Sequence, residues 1–400
     1  MRILFLSTWF PYPPDNGSKV RVYHLSRALA QRHEVTLLSF AFDTARPDEA
    51  DKASTGWRQA RVVPRDPFQR SRLARWLRFF SPGPIVAAPI KEMSQLVQQA
   101  MTETAFDVVI ASTVTMATYA LQVRETRKIL EEHNSGSRMM WERYREQRSA
   151  GQRLRCWASW QKTRLYEARL FRRFDLCTMA SEQDRQASLQ MLPGYAGPVA
   201  VVANGVDCQH NRPGLAQPVP DALVFNGALT YGANYDAMRY FLAEVYPLIQ
   251  KKAPGISLTI TGSTSGVELS ALRRDDSVHL SGYVRDIRPL VAGASVCVAP
   301  IRWGGGSRLK ILEAMALGTP VVSTFKGAEG LDTVDGEHIL LADDPMAFAD
   351  CTLRLLHDAA LRQRLSANAR ALVEQRYDWT QIGCRFVELV EDTAKPGGSP

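Results

Sequence analysis

Residues 296–324, VCVAPIRWGGGSRLKILEAMALGTPVVST, constrain the fold more than any other stretch of this chain. Residues 296–300 form a short apolar run of the kind buried on both faces of a parallel sheet. Gly304-Gly305-Gly306 lets the backbone turn and expose its N–H groups, and Ser307 is placed to cap a helix. Leu309, Leu312, Ala316 and Leu317 then recur at helical spacing, and Gly318-Thr319-Pro320 stops the helix before a second apolar run at 321–324. The pattern is strand, loop, helix, strand. A glycine loop that opens a helix gathers free N–H groups at the positive end of the helix dipole, which suits an anion. Arg308 and Lys310 add two cations beside it, and Glu313 lies one turn further in. Such a loop also serves as a plain turn in a buried βαβ unit. Two cations and a carboxylate within six residues favour a sugar nucleotide, with diphosphate on the cations and ribose hydroxyls on the carboxylate.

A chain of 400 residues is long enough for two domains, each with its own core. Hydrophobic content of 45% and charged content of 22% are those of an ordinary globular protein. The formal net charge of +8 points to an anionic partner: nucleotide, nucleic acid or lipid surface. Six cysteines are scattered without CxxC or metal-ligand spacing, the usage of reduced thiols in a cytosolic protein. The apolar residues 3–6 are too short for a signal peptide, and no apolar run reaches the roughly eighteen residues that span a membrane. The expected location is therefore cytoplasmic, with peripheral attachment to the inner face of the membrane left open.

Residues 2–7 read as a buried first strand, 9–18 as a Pro/Gly-rich loop, 20–31 as a helix and 33–40 as a second strand. This is the grammar of a doubly wound α/β domain. Further strands are expected at 61–64, 106–112, 128–132, 175–181 and 199–203. His133 follows the 128–132 strand at its carboxyl end, where α/β folds bind ligands. A lone histidine is also often just a satisfied polar residue. Residues 209–221, with three prolines and a glycine, read as a linker. A second domain opens with strands at 222–226 and 256–262, and a helical tail at 345–391 closes it. Two blocks are basic and aromatic. One is 65–80; the other is 143–175, where ten Lys and Arg face three Asp and Glu. A basic amphipathic helix with aromatics suits an anionic membrane surface, and equally a solvated face over a core stripe. No nucleic-acid-binding motif accompanies the charge, so nucleic acid is not expected as a partner.

The 296–324 stretch resembles the donor-binding segment of the family-4 retaining glycosyltransferases of group 1 type, which have the GT-B fold. Glu313 in LEAMALGTPVV matches the second glutamate of that family's Glu-x7-Glu pattern. The first falls on Gly305, so the resemblance is to a branch carrying GGGxRLK in its place. PPDNGSKVR resembles the family's first loop, Asn204-Gly205-Val206-Asp207 its turn before the linker, and HLSGYVR at 279–285 its base-holding loop. The implied architecture is two doubly wound parallel-sheet, Rossmann-like domains facing across a cleft. Residues 1–208 would be the acceptor side, 209–221 the linker, 222–375 the nucleotide-sugar domain, and 376–400 a last helix able to pack back on the first domain. The resemblance implies catalytic roles for His133, Arg308 and Lys310. It implies donor contacts at Gly17, Gly227, Tyr283, Val284, Gly305, Gly306, Ser307, Leu309 and Glu313. The family's usual Arg and Lys in the loop at 227–234 are missing, since that segment reads GALTYGAN.

The implied reaction is retaining transfer of a hexose from a nucleotide sugar, UDP- or GDP-linked, to a hydroxyl of a glycan or lipid-linked acceptor. Surface polysaccharide assembly is the setting. No cofactor is implied. No DxD-type acidic pair precedes the loop, so metal independence is expected, with fixed cations in place of Mg²⁺. Two other readings compete: another GT-B enzyme such as a sugar-nucleotide 2-epimerase, and a non-catalytic partner protein of the same fold.

Overall fold

The computed structural model describes residues 1–42, 56–69, 88–147, 149–304 and 308–395. The chain resolves into two compact units, Met1–Asn204 with Ile382–Pro400, and Gly205–Gln381.

In the first unit the strands are β1 (Arg2–Ser7), β2 (Glu34–Phe40), β3 (Gln59–Val63), β4 (Val108–Ser112), β5 (Arg127–Glu131), β6 (Leu176–Met179) and β7 (Val199–Val201). Its helices are α1 (Gly17–Ala30), α2 (Lys91–Glu103), α3 (Val114–Ala120), α4 (Gly136–Glu146), α5 (Ala150–Phe171) and α6 (Glu182–Met191). The strands form one sheet in the order β3-β2-β1-β4-β5-β6-β7, with parallel pairings throughout. Ile3, Leu4, Phe5 and Leu6 on β1 and Val108, Val109 and Ile110 on β4 are all fully buried, as central parallel strands covered on both faces must be.

The second unit repeats the plan. Its strands are β8 (Val219–Asn226), β9 (Ser257–Thr261), β10 (Val278–Gly282), β11 (Ala294–Ala299), β12 (Val321–Ser323) and β13 (Leu340–Leu341). Its helices are α7 (Gly232–Tyr240), α8 (Tyr246–Lys252), α9 (Arg288–Ala292), α10 (Leu309–Ala316), α11 (Pro345–His357) and α12 (Ala359–Arg376). The sheet order is β10-β9-β8-β11-β12-β13, again parallel in every pairing. The last helix, α13 (Trp379–Ala394), belongs to the first unit from Ile382 onward. In each sheet the chain's first strand lies beside its fourth. Successive connections leave in opposite directions there, and ligands of open α/β sheets bind at the carboxyl ends of such strands.

Several expectations shift. The first helix starts at Gly17 and not at residue 20, because the Asn16 side chain caps it by accepting from the Lys19 N–H at 3.1 Å. The expected linker is shorter at its end, since Val219–Asp221 already belong to β8. Pro220 is tolerated there because the β8–β11 register slips between Ala294 and Val296. The first unit closes at Asn204, earlier than residue 208. The glycine-loop helix starts at Leu309, and the residue before it is Arg308 (ψ 71°) in place of the expected Ser307 cap. Ser307, with Gly305 and Gly306, lies outside the described residues, as do residues 70–80 of the first basic block and the tail at 396–400. All six cysteines are free thiols. No helix of the described residues is long and apolar enough to cross a membrane.

Candidate active site

In the second unit, polar groups converge where β8 and β11 end and α10 begins. Asn226 ends β8. Its amide nitrogen donates to the Lys310 carbonyl at 3.0 Å and to Glu313 Oε2 at 3.1 Å. The Cys297 thiol on β11 donates to Asn226 Oδ1 at 3.5 Å, which orients that amide. Burial pushes this thiol up to about 12, so it stays protonated and keeps the S–H it donates. Lys310 reaches back over strand β8. Its ammonium sits 4.2 Å from the centre of the Phe225 ring and donates to Asn234 Oδ1 at 2.5 Å. Asn234 in turn donates to the Ala228 carbonyl at 2.8 Å. Gly227 is required by this arrangement, since a Cβ there would stand 2.8 Å from both Lys310 Nζ and Asn234 Nδ2.

The charges at this end are poorly matched. Burial lowers Lys310 to about 7, helped by Arg308 and opposed by Glu313. Burial raises Glu313 to about 7, opposed by the Asn226 hydrogen bond and by Lys310. Both groups therefore titrate near neutrality, as groups with incomplete charge compensation do. Arg308 is buried, and its Nη2 donates to the carbonyls of Gly304 at 2.5 Å and Lys326 at 3.2 Å. It ties the backbone at Gly304 and Lys326 to the start of α10. Gly304 has φ +96°, open to glycine alone without strain. Arg302, also near the loop, forms a two-pronged ion pair with Asp236.

In the first unit, His133 stands two residues past β5. Its Nε2 lies 3.0 Å from Ser112 Oγ and 3.3 Å from Glu131 Oε2, and its Nδ1 lies 3.3 Å from Ser18 Oγ near the start of α1. Glu131 is fully buried and pairs with Arg21 at 2.5 Å, and Arg21 also donates to Asn204 Oδ1 at 2.9 Å and the Ala203 carbonyl at 3.1 Å. Burial alone would raise Glu131, but Arg21, His133 and the Ser112 hydroxyl hold it well below the usual carboxylate range. The network assigns the protons. Ionised Glu131 only accepts, so Ser112 gives it its one proton at 2.7 Å and accepts in turn from His133 Nε2–H. His133 Nδ1 is left facing Ser18.

The expected residues thus fall into groups. Lys310, Glu313 and Gly227 meet in one cluster, and Arg308 braces its loop; Leu309 opens the helix. Gly17 opens α1 just before Ser18, whose hydroxyl faces His133 Nδ1. Tyr283 and Val284 follow β10, two strands away from β8, and Tyr283 is 77% exposed. Asn226, Asn234, Phe225 and Cys297 were not foreseen, because a search for charged and glycine-rich motifs passes over uncharged residues. Nor were Ser112 and Glu131, which stand outside the glycine-rich motifs, or Arg21. A buried-strand glutamate two residues before His133 was the available signal.

A model described as Glycosyltransferase Family 4 matches residues 15–210, and one described as Glycosyl transferases group 1 matches residues 220–358. A phosphatidyl-myo-inositol mannosyltransferase of Mycobacterium leprae is 34% identical over 163 residues, 39% of this chain and 43% of that protein. The chain spans less than half the length of the first curated relatives it matches. Among solved structures, sucrose-phosphate synthase from Thermosynechococcus elongatus superposes with a TM-score of 0.74 at 19% identity, covering 98% of each chain. A protein from Anabaena in complex with UDP-glucose superposes with a TM-score of 0.64 at 19% identity, covering 98% of this chain and 99% of that one. With both of its parallel-sheet units matched in order by the two family models, the chain belongs to the group 1, family-4 glycosyltransferases of the GT-B fold.

Proposed function

We propose that the chain is a retaining, metal-independent hexosyltransferase, moving a sugar from a UDP- or GDP-linked donor to a hydroxyl of a glycan or lipid-linked acceptor in surface polysaccharide assembly. The observation that carries this reading is Lys310. The β8 loop lacks its own Arg and Lys, and the ammonium from α10 is aimed into that loop beside Gly227 and Asn234. In the reaction, the bond from C1 of the sugar to the diphosphate oxygen breaks, and its electron pair goes to that oxygen. The acceptor oxygen bonds C1 on the same face, and its proton passes to the leaving phosphate. No protein nucleophile is needed. Charge grows on the diphosphate as the bond breaks, so a cation already in place stabilises the transition state more than the ground state.

In this reading Lys310 meets the diphosphate, Glu313 the ribose hydroxyls, and Arg308 holds the loop in shape. Gly17, Gly227, Leu309, Tyr283 and Val284 are the accompanying donor contacts, together with Gly305, Gly306 and Ser307, which lie outside the described residues. In the first unit the proposed catalytic residue is His133, whose ring lies against Ser112 and Glu131. The fold relative solved with UDP-glucose supports a uridine nucleotide among the candidates. The location that fits is cytoplasmic and peripheral to the membrane.

The test is a panel of UDP-, GDP-, ADP- and dTDP-sugars read by thermal shift and by donor hydrolysis. One nucleotide class should raise the melting temperature and be slowly hydrolysed. A flat response to all four removes the transferase reading and the epimerase reading together.

A further inference from the structure

Helix α5 carries apolar side chains on its packed side and also on part of its solvent-facing side. On one side Leu170 and Phe171 are buried, and Trp160 lies against Trp141 of α4 with ring centres 4.5 Å apart. The solvent-facing side of a surface helix is normally polar. There Leu154 is 67% exposed, Trp157 43% and Leu165 44%. At about 100° per residue these three fall within about 80° of arc. Arg153 and Arg164 border the strip along one edge, and Arg155 and Lys162 along the other. The guanidinium of Arg153 lies 5.1 Å from the Tyr144 ring centre and that of Arg164 5.1 Å from the Trp160 ring centre, which holds their stems along the helix sides.

We infer that this strip docks the protein on an anionic lipid bilayer, with α5 lying in the plane of the interface. Three apolar side chains in a narrow row enter the acyl boundary to side-chain depth, and cations on both edges reach the lipid phosphates. Tryptophan favours that boundary because its ring is apolar and its N–H is polar. A protein partner would ask for a broader apolar centre depleted of charge. Here Leu154 stands between Arg153 and Arg155, and Leu165 stands next to Arg164. A nucleic acid would answer the cations and leave Leu154 and Leu165 in water. The inference rests on the proposed function for its purpose, a surface on which a lipid-linked acceptor is met, and on the helix face for its evidence.

The test uses the full chain and sedimentation with phosphatidylglycerol–phosphatidylcholine vesicles against phosphatidylcholine vesicles. Binding is expected to the anionic vesicles only, with release by about 0.5 M salt. The double variant Leu154→Glu/Trp157→Glu should weaken binding about tenfold or more with its melting temperature unchanged. Arg153→Gln/Arg155→Gln, which keeps the apolar row, should weaken it as well and serves if the first variant misfolds. Brominated acyl chains should quench wild type more than Trp157→Phe. Three results overturn the inference: variants that bind like wild type, equal binding to neutral vesicles, or a wild-type dimer in light scattering that the double variant abolishes without any lipid binding. The vesicles carry no donor, so failure here leaves the nucleotide panel untouched, and failure of the panel leaves the docking result standing.

Discussion

The two sheets place their first and fourth strands side by side, yet they treat charge at that junction differently. In the first unit the buried Glu131 carboxylate has a guanidinium, a hydroxyl and an imidazole around it, and it stays ionised. In the second unit the Lys310 ammonium has an amide oxygen and an aromatic face, and it titrates at about 7. A charge satisfied by its own protein holds a neighbouring group in position. A charge left under-compensated gains most from a ligand of opposite sign. The first junction is held closed by its own partners, and in the proposed reading the second is completed by an anion.

The largest expected effect tests the scaffold. Arg21→Ala strips the partner from a buried carboxylate, and removing one member of such a pair costs about 3–5 kcal/mol. Chemical denaturation should report that loss, and a change under about 1 kcal/mol would mean that Glu131 is not held by Arg21. Next is Lys310→Ala, for which kcat/KM for the donor should fall on the order of a hundredfold with little change in melting temperature. Near wild-type turnover at saturating donor would move the phosphate role to Arg308.

Glu313→Ala should weaken nucleotide binding by about one to two decades, the worth of a charge-assisted hydrogen bond. Calorimetry showing affinity within about twofold of wild type would break the ribose assignment. Gly227→Ala sharpens the comparison without removing a charge. Its Cβ displaces the far end of Lys310, a flexible group, so the fold should hold while donor affinity falls about tenfold.

The smallest effect is on pH. Lys310 loses its proton above about 7 in the ligand-free protein, and an anion prefers the charged form. Diphosphate affinity should therefore decline several-fold between pH about 7 and 9 in wild type and stay flat in Lys310→Ala. Stability should respond with the opposite sign. Its folded pKa lies below the ordinary 10.5, so in the window between them the unfolded chain holds the extra proton, and this group's contribution makes stability rise with pH. A pH-independent affinity in wild type would place the second junction with the first, as a charge already satisfied.

Apolar runs and helical spacing, which are local, determined the two doubly wound units and put the glycine loop, Lys310 and Glu313 on one strand–helix junction. They also put His133 at a strand's carboxyl end. Only the tertiary structure decided what those side chains meet. Lys310 finds Asn234 at a separation of 76 residues, Glu313 finds Asn226 at 87, and Arg21 finds Glu131 at 110. Each pairing depends on strand order and register, which bring the ends of β8 and β11, or of α1 and β5, to one place. Asparagine, phenylalanine and a buried thiol leave no charge pattern to read in a sequence. The shifts of Lys310 and Glu313 toward neutrality likewise come from burial, which exists only once the chain has closed around them.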